Sequence, residues 1–117
     1  MPETHYALAL LLSKPGGDAA RAEAEWREAI RLQPDYSQAR MNLANFLVQH
    51  NRSGEAAFHF EYALRLRPDY ALAHLNYALM LRSMGRKQEA ADHLRKAASS
   101  SDASIRSAAR QALSELQ

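Results

Sequence analysis

The tripeptide Pro34-Asp35-Tyr36 returns as Pro68-Asp69-Tyr70, 34 residues further along the chain. A fixed internal period of that length constrains the fold more than any other feature, because each period must be one supersecondary unit that stacks on its neighbours. The flanks repeat in the same register. Glu28-Ala29-Ile30-Arg31-Leu32-Gln33 precedes the first marker and Tyr62-Ala63-Leu64-Arg65-Leu66-Arg67 the second. Gln38-Ala39-Arg40-Met41-Asn42-Leu43-Ala44 follows the first, and Leu72-Ala73-His74-Leu75-Asn76-Tyr77-Ala78 the second. Further on, Gly54-Glu55-Ala56-Ala57 answers Gln88-Glu89-Ala90-Ala91.

Each unit reads as a pair of helices. In the middle unit Ala39, Leu43, Ala44 and Leu47 fall at helical spacing, and Ala56, Phe60, Ala63 and Leu64 do so again. His50-Asn51-Arg52-Ser53-Gly54 between them is a turn, since Asn and Gly tolerate the left-handed backbone that closes a helix. Gly85 does the same work in the third unit. Pro34 and Pro68 stop the helices before them, and Asp35 and Asp69 are expected to cap the helices that follow. Alanines at 44, 56 and 63, and again at 78, 90 and 97, are small where helices approach closely. Leu43, Leu47 and Phe60, with Tyr77, Leu81 and Leu94, fill the space around them. No helix pair buries such faces alone, so the units must stack.

These residues resemble a tetratricopeptide repeat: Ala39, Asn42-Leu43-Ala44, Leu47, Glu55-Ala56, Phe60, Ala63-Leu64 and Pro68 in the middle unit. The third unit matches through Ala73, Asn76, Tyr77, Ala78, Leu81, Gly85, Glu89, Ala90, Leu94 and Ala97, and departs where a proline is expected near Ser101. The first matches in its second helix through Ala22, Trp26, Ala29 and Pro34. Its first helix fits once one residue is inserted in Lys14-Pro15-Gly16-Gly17. The resemblance implies an all-α domain over residues 1–117, an α-solenoid of three helix-turn-helix repeats at about 3–34, 35–68 and 69–101. Residues 102–117 add a capping helix, whose apolar face is Ile105, Ala108, Ala109, Ala112, Leu113 and Leu116.

In proteins of this kind the first helix of each repeat lines a concave wall. By position, that wall comprises Tyr6 and Leu10, then Gln38, Met41, Asn42, Asn45 and Gln49, then Leu72, Leu75, Asn76, Leu79 and Ser83. Asn42 and Asn76 form two rungs of a carboxamide ladder, able to donate to and accept from an extended peptide backbone. Unit one has Ala7 at that place. The apolar members would leave an exposed patch of the sort that marks an interface. A subclass that grips C-terminal carboxylates through Lys and Arg is not expected, because Tyr6, Leu72 and Asn76 stand where the cations would be.

Charge and chemistry narrow the function classes. Fifteen basic residues against thirteen acidic give a net charge of +2, which is no nucleic-acid footprint. The absence of cysteine excludes disulfides and thiolate chemistry. The apolar run Tyr6 to Leu12 is too short for a membrane span and has no signal-peptide flanks, so the compartment stays open with the cytoplasm as default. No phosphate loop, His-Glu-x-x-His motif or nucleophile elbow is present. His59 and His93 are 34 residues apart, but two imidazoles without a third ligand make a poor metal site. Trp26 stands where the other repeats carry Phe60 and Leu94, and reads as core. The expectation is a non-enzymatic module without cofactor or metal that receives a peptide or helix of a protein partner in its groove. The alternative is a homo-oligomerising unit, or a repeat segment of a larger scaffold or enzyme.

Overall fold

The computed structural model describes residues 1–116, and among them every regular element is helical. The helices are α1 (Pro2–Leu12), α2 (Ala19–Leu32), α3 (Ser37–Gln49), α4 (Ser53–Leu66), α5 (Ala71–Ser83), α6 (Lys87–Ala97) and α7 (Ala103–Glu115). The fold is an all-α helical repeat of the solenoid type. Two compact units divide the chain: α1 to α4, ending at Leu66, and α5 to α7, beginning at Arg67.

In the first unit α1 packs on α2, α2 on α3 and α3 on α4. Ala22, Ala29, Ala39, Ala44, Ala56 and Ala63 are fully buried and let the backbones close in. Leu43, Leu47 and Phe60, also at zero exposure, fill the volume between them. Each such large side chain contributes about 1.5–3 kcal/mol through removal from water. In the second unit α5 packs on α6, and α7 lies against both. Ala73, Ala78, Leu81, Ala90, Leu94 and Ala97 are its core, and α7 adds Ala109 and Ala112. Ile105, Leu113 and Leu116 of the expected apolar face are half-buried, while Ala108 stays exposed.

The inter-helix turns follow from their residues. Asn51 and Gly85, one period apart, both take positive φ, 62° and 77°. In each turn the next residue's N–H donates back to a buried leucine carbonyl, Arg52 to Leu47 at 2.8 Å and Arg86 to Leu81 at 2.9 Å. That is the Schellman closure of a helix C-terminus. The first turn is longer, and there Gly17 is pressed so close to the Leu12 carbonyl that a Cβ would lie 2.0 Å from its oxygen.

One local expectation is corrected. Asp35 and Asp69 do not cap: α3 and α5 begin one residue later, with Tyr36 and Tyr70 at the N-cap and no side-chain bond there. The Tyr N–H groups instead close turns onto the Gln33 and Arg67 carbonyls. The working carboxylate caps are Asp18, which accepts from the Arg21 N–H, and Asp102, which accepts from those of Ser104 and Ile105.

Candidate peptide-binding surface

A cleft of about 210 Å³ opens in the first unit, lined by Leu10, Ser13, Trp26, Asn42, Asn45, Phe46 and Gln49. Its wall is α3, which brings Asn42, Asn45, Phe46 and Gln49 to one side because they are spaced three or four residues apart on a single helix face. Leu10 and Ser13 come from the end of α1, and Trp26 from α2. The lining is polar but uncharged.

The carboxamides are in different states. The Asn42 Nδ2–H₂ donates to the Tyr6 hydroxyl at 2.8 Å, leaving its Oδ1 as a spare acceptor. Burial raises the Tyr6 hydroxyl pKa against the opposing pull of that bond, so the phenol stays protonated. Its ring lies 5.0 Å from that of Tyr36. Asn45 is half-buried and Gln49 exposed. The Phe46 ring meets Trp26 edge-on at 5.6 Å and stacks on His50 at 4.1 Å. Trp26 is only 3% exposed, and its Nε1–H is buried without a hydrogen-bond partner. A buried donor in that state is costly and calls for an acceptor.

The wall expected from sequence divides into surface and core. Leu10 (41% exposed) and Leu72 (36%) are accessible, and Gln38 is exposed. Tyr6, Asn42, Asn45, Asn76 and Leu79 are half-buried. Met41 (4%) and Leu75 (8%) are not surface at all. They were expected to face a groove, but each is buried in the packing of its own unit. In the first unit the structure gathers Leu10, Asn42, Asn45 and Gln49 into one cleft. Ser13, Trp26 and Phe46 join them unannounced. A tryptophan at a core position was the available signal, since an indole N–H placed there must find a partner.

Away from the cleft, one polar pair recurs between the two helices of every repeat. His5 Nδ1 meets Glu25 at 2.5 Å, Arg40 Nη1 meets His59 Nδ1 at 3.3 Å, and His74 Nδ1 meets His93 Nδ1 at 2.9 Å. The pairs span 20, 19 and 19 residues, and the extra one sits in the longer first turn. Burial, reinforced by Arg40, depresses the His59 pKa to about 4. Burial also lowers those of His74 and His93, so all three are neutral near pH 7. His74 Nε2–H donates to the Pro68 carbonyl at 2.7 Å. Its Nδ1 is therefore an acceptor, and the His93 Nδ1–H donates to it. His59 and His93 are thus each engaged inside their own unit. No group of three metal-ligating side chains occurs among the described residues, and no described helix is long and apolar enough to cross a membrane.

The model of the family described as tetratricopeptide repeat matches residues 6–58 and 47–105. The chain belongs to that family. Among solved structures it is similar to the tetratricopeptide domain of P58(IPK), at TM-score 0.88 and 23% identity over 98% of this chain. It is similar also to MamA, at TM-score 0.76 and 21% identity over 82% of the chain, and to an arginine-to-glutamate mutant of MamA, at 0.72 and 27% over 82%. The matched region spans 32% of the P58(IPK) chain, 56% of MamA and 69% of the mutant. No curated protein matches the chain by sequence. Repeats of this family generally serve as protein–protein interaction modules, and the fold is typically a non-enzymatic scaffold.

Proposed function

We propose that this chain receives a peptide segment of a protein partner, and that the α1/α3 cleft of the first unit is its anchoring point. The observation that carries this reading is the cleft itself: Asn42, Asn45 and Gln49 line it beside the apolar Leu10 and Phe46. Carboxamides offer both donor and acceptor, so they satisfy a polypeptide's amides, while the apolar members contribute area. A lining without charge favours a neutral segment, because burying an unpaired charge there is costly. In the second unit Leu72, Asn76 and Leu79 of α5 are accessible or half-buried, a separate strip of similar make-up.

The test is selection of peptides from a random display library on the whole chain, followed by binding of the enriched peptides to Asn45→Ala/Gln49→Ala. Loss of roughly tenfold or more in affinity with an unchanged circular dichroism spectrum supports the cleft. Enriched peptides that bind the double variant as well as the native chain place the anchor elsewhere.

A second reading has one observation in its favour. Leu10 and Leu11, at the C-terminal end of α1, are 41% and 63% exposed, an apolar pair that a second copy of the chain could cover. Light scattering across a wide concentration range, with Leu11→Glu alongside, distinguishes it. A native dimer that this change returns to a folded monomer supports self-association.

A further inference from the structure

We infer that the cleft recognises a carboxamide side chain, Gln or Asn, carried by the bound segment, with the Trp26 indole N–H as the donor to its oxygen. This rests on the peptide-receiver reading and names the chemistry of its anchor. Three observations meet here. Trp26 belongs to the cleft lining and is 3% exposed, yet its Nε1–H has no acceptor. Asn45 and Gln49, one helical turn apart, line the same cleft and make no hydrogen bond to the protein, as the Asn42 Oδ1 does not. No charged side chain contributes to the lining.

A buried donor without a partner costs free energy that an incoming acceptor recovers. Because Nε1 is buried, the acceptor must arrive on a stem, which a side chain has and a main-chain carbonyl has not. A carboxylate also supplies an acceptor but brings a charge into a site without a cation. An alcohol is short. A carboxamide presents its oxygen to Trp26 and its NH₂ to the oxygens of Asn45, Gln49 or Asn42, so both polar groups of the guest find partners and the indole N–H gains its acceptor. Leu10 and Phe46 then flank the aliphatic stem.

The sequence has a single tryptophan, so its indole N–H gives one resonance in a nitrogen–proton spectrum of the whole chain. The probes are N-acetyl-glutamine, N-acetyl-glutamate and N-acetyl-alanine, each as the N-methylamide. The expected result is a saturable shift of the indole peak with the glutamine probe, weaker by about tenfold with glutamate, and none with alanine, which carries the same main-chain amides. Trp26→Phe keeps an aromatic ring of the type Phe60 supplies in the next repeat. It should fold and weaken the glutamine probe roughly fivefold, followed on the Asn45 and Gln49 side-chain peaks. Equal shifts with the alanine probe, or no shift with glutamine, overturn the inference. Peptides that bind the cleft without a carboxamide and without moving the indole peak overturn it while leaving the receptor reading intact. Failure of every peptide to bind removes the receptor reading itself.

Discussion

Arg40 and His74 hold the same place in successive repeats, and each donates to the carbonyl of the proline six residues before it. Arg40 does so from Nε and Nη2, both 3.2 Å from the Pro34 oxygen, and His74 from Nε2 at 2.7 Å from that of Pro68. Each also reaches the second helix of its repeat, at His59 and His93. One side chain thus ties the inter-repeat turn and both helices together. Residues of different chemistry do the same structural work because what is needed at that place is a donor of a certain reach.

Arg40 is 7% exposed, and its guanidinium lies 3.7 Å from the centre of the Tyr62 ring, which offsets part of the cost of burying the charge. Arg40→Met leaves the Pro34 carbonyl and His59 Nδ1 without their donor, and should destabilise the chain by about 2–4 kcal/mol in urea unfolding. Arg40→His, which copies the His74 arrangement, should cost less than half of that. Equal losses for the two variants would show that hydrogen-bond geometry is not what the position supplies.

Stability should fall with acidification well before carboxylates protonate. The His59 pKa is about 4 in the folded chain against an ordinary 6.5, with burial as the main cause and the nearby Arg40 and Arg27 next; Glu55 opposes them. As pH drops below 6.5, the unfolded chain takes up a proton that the folded chain refuses. Stability from this group is complete above about pH 6.5 and declines towards pH 4, by about 3 kcal/mol in all and about 2 kcal/mol by pH 5. His74 and His93, also lowered, add to the same slope. Thermal melts between pH 7.5 and 5 should show the decline, and His59→Gln should flatten it. A melting temperature indifferent to pH over that window would mean these imidazoles are open to protonation in the folded chain.

What the sequence discloses here is periodic identity, and what it conceals is function carried by non-identical residues. The Pro-Asp-Tyr marker and the alanine and leucine positions led directly to helix pairs, because burial leaves the same residue types at the same places. Met41 and Leu75, expected on the wall of first helices, are each buried within their own unit. A helix offers a continuous range of directions, and spacing alone does not say where packing ends. Asp35 and Asp69 looked like caps because aspartate precedes an apolar run, but the turn places tyrosine at the boundary. The polar pairs His5–Glu25, Arg40–His59 and His74–His93 were hidden since only His59 and His93 repeat in register, while their partners Arg40 and His74 differ and His5 lies one residue out of the period. Trp26 was read as core, which it is; its unmet N–H emerged only from the surroundings that α1 and α3 provide.

Two glycines should respond in opposite directions. Gly17 has the Leu12 carbonyl where a Cβ would stand, and the clash is with backbone that cannot step aside. Gly17→Ala should lower stability by about 2 kcal/mol or more and loosen the α1–α2 turn, visible as faster amide exchange in α1. Gly54 lies in the first turn of α4 with open space around it. Gly54→Ala should raise stability by about 0.5 kcal/mol, since alanine restricts the unfolded chain and favours the helix. Urea titrations of both variants check the pair, and a destabilising Gly54→Ala would imply that α4 needs freedom at its start.

The terminal helix should be the least independent element of the second unit, and its cap is the place to probe it. Asp102 Oδ1 accepts from the N–H groups of Ser104 and Ile105 at 2.9 and 3.3 Å, serving two donors that the helix itself leaves open. Behind the cap, α7 buries only the small Ala109 and Ala112 completely, so capping is a large part of what holds its first turn. Asp102→Ala should cost about 1 kcal/mol, and Asp102→Ser should restore most of it. Arg82 of α5 donates to Glu115 at 3.0 Å, but that ion pair is exposed and should contribute little once salt is added. Hydrogen exchange read residue by residue decides between local and global effects. With local fraying, amides from Ala103 to Arg106 lose protection while those of Leu81 and Leu94 keep theirs. Uniform loss across α5 and α6 would instead make α7 an integral part of the unit's cooperative core, so that a lid of two alanines is as necessary to its neighbours as their own leucines.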